Sequence, residues 1–167
     1  MDAALVCIAG TGLTFGMWWV YYLLPSAPIL HSYRDRAFVW GYSQMAIVTS
    51  IVATGAGLHV AAHFIEHQAH ISAFAAVLSV AIPIGVFLGL IYALYYYLAR
   101  QFDFLNVWLL IGTVAVVALA VIADLAGVDM AVCLIILMLA PAVTVVGYEL
   151  QGYRQQAHAL AKVEGKI

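Results

Sequence analysis

Charge is what this sequence has least of. Six Lys and Arg and eight Asp and Glu make up 8% of 167 residues, against 66% apolar residues. Soluble domains carry roughly a quarter charged residues, and with a mean hydropathy of +1.06 there is too little polar surface here for one. A basic surface is lacking as well: the net charge of −2 gives no basis for a nucleic-acid partner. Only two cysteines occur, Cys7 and Cys133, both inside apolar stretches. They suit small apolar packing positions rather than a disulfide framework. The first residues have neither the basic start nor the small-residue cleavage site of a signal peptide, so Met1–Leu24 reads as a retained span.

The apolar residues fall into five long runs, Ala3–Leu24, Phe38–Ala62, Ser72–Ala99, Leu105–Ala123 and Val128–Leu150. Each is close to the ~20 residues that carry a helix across ~30 Å of hydrocarbon. The expected fold is an all-α, polytopic membrane helix bundle of about five transmembrane helices over residues 1–150, with a polar tail at 151–167. Asp124, Gly127 and Asp129 predict a tight turn between the last two spans, rather than one uninterrupted helix. With five spans, all six basic residues (Arg34, Arg36, Arg100, Arg154, Lys162 and Lys166) share one side. The positive-inside rule makes that side cytoplasmic, which puts the N-terminus outside and the C-terminal tail in the cytoplasm. Gly12/Gly16 and Gly85/Gly89 have the spacing that lets helix backbones approach closely within a bundle. Pro83 and Pro141 predict bends. The mid-span hydroxyls Thr14, Thr49, Ser50, Thr54, Ser79, Thr113 and Thr144 are expected mostly to bond back to their own helix.

Two ends of the bundle differ in chemistry. All four Trp and all ten Tyr fall in the half that carries the basic residues. An aromatic belt at the headgroup level accounts for such rings, although a belt normally marks both interfaces. A cytoplasm-facing vestibule for an amphipathic or aromatic ligand is the other reading, with Trp18, Trp19, Tyr22, Tyr42, Gln44 and Tyr96 as candidate lining. At the opposite end, helical spacing would put His59, His63, Glu66, His67 and His70 on one stripe. His63 and His67, four residues apart, could grip one metal ion, with Glu66, His70, Asp124 or Asp129 completing the set. Zinc or a similar transition metal is the ion this donor set would take; no other cofactor is expected. The string His63-Phe-Ile-Glu66-His67 also matches a metallohydrolase pattern. Five letters recur by chance and the expected soluble lobe is absent, so a non-enzymatic role is preferred. A pH-responsive patch is a further reading of the same histidines. No carboxylate lies at mid-span, which argues against a self-contained proton-coupled carrier.

The segment Trp18-Trp19-Val-Tyr21-Tyr22, an Arg-containing loop, Gly41-Tyr42-Ser43-Gln44 and the run ending Gly55-Ala-Gly57-Leu58 resembles the bacterial low temperature requirement protein A family. Trp18, Trp19 and Tyr21 match that family's Trp-Trp-x-Tyr-Phe element, with Tyr22 in place of Phe, and Tyr42 opens the position of its Tyr-x-His motif. Gln44 stands where the family usually has His, so a proton-handling role is not implied there. The family's proteins are longer, and the acidic Phe-Phe-Asp motif of their first helix has no counterpart here, so the similarity is to their C-terminal half. The resemblance implies a multi-pass protein of the bacterial plasma membrane linked to growth in the cold, and brings no substrate. Three functional expectations follow: a small-solute transport or permeation module, a metal- or pH-sensing component built on the histidines, or a structural subunit. Expected partners are the lipid bilayer, other membrane subunits or a second copy of the chain.

Overall fold

In lipid every backbone N–H and C=O must be satisfied within the protein, so apolar runs of this length become helices. The computed structural model describes residues 2–23, 30–31, 36–66, 70–99 and 104–149. The 151–167 tail and His67 lie outside the described residues, as do Arg34 and Arg100. Five long helices coincide with the five runs: α1 (Asp2–Tyr22), α2 (Ala37–Ile65), α3 (Ala73–Ala99), α4 (Phe104–Leu125) and α5 (Met130–Gly147). All five are long and apolar enough to cross a membrane, and the described residues contain no strand. The chain is therefore a multi-pass integral membrane protein.

The turn between α4 and α5 is built by two residues. Gly127 takes φ +80°, and its N–H donates to Asp124 O (2.9 Å) while Val128 N–H donates to Ala123 O (3.0 Å). This doubly bonded helix end needs a residue without a Cβ at the left-handed position. Two residues later Asp129 Oδ1 accepts from Ala131 N–H (2.8 Å) and starts α5.

The helices close into a ring. α1 packs on α5 and α2, α2 runs along α3, α3 meets α4, and α4 meets α5. α3 and α5 form its centre: 44% of the residues in the apolar stretch of each are buried, against 11% in α4. Small residues decide the close approaches. On α1, Gly12 faces Met138 and Gly16 faces Pro141 of α5, where a Cβ at Gly16 would sit 2.8 Å from the Pro141 ring. The tightest approach to a backbone carries no spacing signal in the sequence. Gly57 of α2 lies against the backbone carbonyl of Ser79, and any Cβ there would overlap that oxygen. Pro83, four residues on, has no N–H to give to Ser79 O. The Gly57 Cα hydrogens cover this freed carbonyl, a weak C–H···O contact that side chains of any size would prevent. Ser79 Oγ reaches back towards Gly57 O (3.4 Å). By contrast Gly85 and Gly89 of α3 face open space, with nothing within 4 Å of where a Cβ would stand, so this second spacing packs no helix of the bundle.

Arg36 ties the beginning of α2 to the end of α3. It is 7% exposed, and its guanidinium donates to Leu98 O in the last turn of α3. A cation at the carbonyl end of a helix is favoured by the dipole as well as by the bond.

Candidate functional site

Most mid-span hydroxyls do bond back to their own helix. Thr14 donates to Gly10 O (2.8 Å), Thr49 to Met45 O (2.7 Å) and Thr54 to Ser50 O (2.8 Å). Thr144 behaves differently. Its Oγ1 lies 2.9 Å from Tyr92 Oη of α3 and 3.2 Å from Thr113 Oγ1 of α4. The direction of this chain follows from counting protons. A hydroxyl has one proton to give, and Thr113 gives its own to Leu109 O at 2.8 Å. Thr113 must then accept from Thr144, and Thr144 from Tyr92. One directed chain, Tyr92 to Thr144 to Thr113 to Leu109 O, joins the three helices inside the bundle. All three hydroxyl residues are buried.

Below this chain lies a crevice of about 270 Å³, lined by Val20, Leu23, Ile91, Tyr92, Tyr95, Thr144 and Tyr148. Its free width admits little more than a water molecule. Tyr95 and Tyr148 meet edge to face at 6.2 Å, and Tyr148 Oη donates to Asn106 Oδ1. At the other end of α5 a wider cleft of about 740 Å³ is lined by Phe64, Ile65, Asp124, Val128, Asp129 and Met130 among others. Between the two openings, Ile84, Phe87, Leu134 and Leu137 are fully buried and close the bundle.

The aromatic residues read from the sequence as a vestibule are placed otherwise. Trp18, Trp19, Tyr22, Tyr42 and Tyr96 are all exposed on the outside of the bundle. The reason is the face of α1 that packs: Ala9, Leu13, Met17 and Val20 are buried, which turns Phe15, Trp18 and Tyr22 outward. They form a ladder, with Phe15–Trp18 centroids 6.1 Å and Trp18–Tyr22 centroids 4.9 Å apart. Rings in that position suit the headgroup level of a bilayer. Of the six, only Gln44 is turned inward. Its Oε1 accepts from Tyr21 Oη (3.0 Å), and its Nε2 is enclosed with no partner among the described residues. The crevice is lined instead by Tyr92, Tyr95 and Tyr148, which sequence alone could not separate from their exposed neighbours.

The histidine stripe is shorter than its spacing suggests. α2 ends at Ile65 with Glu66 as its cap, Glu66 N–H bonding Ala62 O at 3.0 Å. Helical spacing therefore does not carry on to His70, and His67 lies outside the described residues. The pair that meets is His59 and His63, with Nε2 atoms 3.1 Å apart. Glu66 and His70 are both exposed, and no group of three His, Cys, Asp or Glu converges among the described residues. Asp124 and Asp129 face the cleft beside Phe64 and Ile65.

Comparison with known protein families gives a match. The family model for bacterial low temperature requirement A protein (LtrA) covers residues 1–141, well beyond the segment around Gly16–Leu58 that carries the motifs. No curated protein and no solved structure matches the chain.

Proposed function

Because this chain belongs to the bacterial low temperature requirement A family and has five membrane-spanning helices, we propose that it is a transport or permeation module for a small neutral solute. One observation carries the reading. Two openings lie at opposite ends of the α3–α5 interior, with a buried apolar plug between them and a hydroxyl chain at the inner edge of that plug. Hydroxyls and amides without charge favour a solute that hydrogen-bonds and carries no charge, since an ion would need compensating groups in so apolar a setting. The enclosed Gln44 amide supports the same chemistry. A buried donor without a partner costs about 1–3 kcal/mol, and Gln44 Nε2 has none among the described residues.

In this reading the protein sits in the bacterial plasma membrane with its N-terminus outside and all its basic residues in the cytoplasm. Its role is non-enzymatic. The crevice is too narrow for anything larger than water, so passage requires α1 to shift against α3 and α5. The test is flux of small neutral polar solutes, such as glycerol and urea, into vesicles reconstituted with the protein. Flux above a heat-denatured control, reduced in Thr144→Val and Tyr92→Phe, supports the reading. Flux equal to the control for every solute, or flux indifferent to both substitutions, overturns it.

A further inference from the structure

His59 and His63 take no part in the transport reading, and their geometry is specific. Their Nε2 atoms lie 3.1 Å apart, with ring centroids at 4.4 Å and planes at 85°. That separation puts both nitrogens within reach of a single ion beside α2. Imidazole–metal bonds of about 2.0–2.1 Å set two nitrogens about 2.9 Å apart at a right angle and about 3.3 Å apart at the tetrahedral angle. The observed separation falls between these two values. We propose that His59 and His63 form a two-imidazole site for a divalent first-row transition ion of the zinc, nickel or copper type, at the end of α2 opposite Arg36.

The position makes the site reachable. α2 has 29 residues, about 44 Å at 1.5 Å per residue, which exceeds the ~30 Å hydrocarbon layer. His59 and His63 stand about 33 and 39 Å from its start, so they emerge where water and ions have access. His59 is exposed and His63 half-buried, so one wall of the site is protein and the other is open. Without an ion, one imidazole donates an Nε2 proton to the other. On binding, that proton moves to Nδ1 of its own ring, and both Nε2 lone pairs turn to the metal. Among the described residues no third His, Cys, Asp or Glu joins the pair, and a site of two imidazoles is expected to exchange its ion readily.

The test uses the full chain purified without a histidine tag. Zn²⁺ is titrated against a chromogenic competitor, for the wild type and for single alanine variants. One saturable ion per chain is expected. Partners that only orient metal ligands already cost about 10–100-fold when removed, so His59→Ala and His63→Ala should each weaken binding about tenfold or more. His31→Ala and His70→Ala should leave it unchanged. Absence of saturable uptake, or full affinity in His59→Ala, overturns the site. A second measurement needs no variant: Cu²⁺ bound to the wild type should give the electron paramagnetic resonance pattern of two equatorial imidazole nitrogens, and a spectrum with one or none rejects it.

Discussion

Gly12/Gly16 and Gly85/Gly89 are the same pattern with opposite fates. The first pair lets α1 lie on Met138 and Pro141, while the second faces outward with nothing near it. Gly57, which belongs to neither spacing, makes the closest approach to a backbone in the bundle. A small residue in a membrane helix thus permits contact without requiring it. What decides the outcome is what stands opposite: a backbone carbonyl freed by Pro83, the rigid ring of Pro141, the flexible end of Met138, or open lipid.

That comparison predicts a graded series of stabilities, measurable as thermal unfolding in one detergent. Gly57→Ala should cost most. Its Cβ meets backbone, which cannot rotate away, so the loss should reach or exceed the upper part of the about 1–3 kcal/mol typical of overpacking. Thr144→Val comes next. It removes the middle of the hydroxyl chain and two interhelical bonds, each worth roughly 0.6–2 kcal/mol in a membrane; Thr113→Val, at the end of the chain, should cost less. Gly16→Ala should fall within the same overpacking range because the Pro141 ring is stiff, and Gly12→Ala below it because Met138 can repack. Gly85→Ala and Gly89→Ala should stay within about ±0.5 kcal/mol. Equal losses at Gly57 and Gly85 would break the comparison. A loss at Gly85 and Gly89 accompanied by a smaller particle in light scattering would instead show that a second copy covers that face.

The Gln44 amide offers a sharper probe of the interior. Gln44→Leu removes an enclosed donor with no acceptor among the described residues, but also the acceptor of Tyr21. The two changes oppose each other, so stability should move by less than about 1 kcal/mol. Solute flux, if the amide serves it, should fall severalfold. A large destabilisation with unaltered flux per folded molecule would make Gln44 a purely structural partner of Tyr21.

The spans are legible because the bilayer imposes their length, and the α4–α5 turn because Asp124, Gly127 and Asp129 each have one mechanical job there. The packed faces are not. In water an apolar stripe marks the buried side of a helix, but here lipid-facing and protein-facing residues are equally apolar. Tyr92 is buried and Tyr96 exposed, though both are tyrosines four residues apart on α3. The reach of α2 is also hidden: nothing in the run from His59 to His70 announces that the helix ends at Ile65, short of His70. Arg36 likewise reads only as one of the basic residues that set the orientation, because its acceptor, Leu98 O, is a backbone atom that no side-chain pattern announces.

The bond from Arg36 to Leu98 has a mechanical consequence. Together with the Gly57–Ser79 contact, it pins α2 and α3 to each other at two heights, one at an end and one along the shaft. Two pins on a pair of rods forbid both sliding and rolling, so α2 and α3 move as a single plank. Any breathing of the bundle is left to the helices on either side of that plank, α1 and α4.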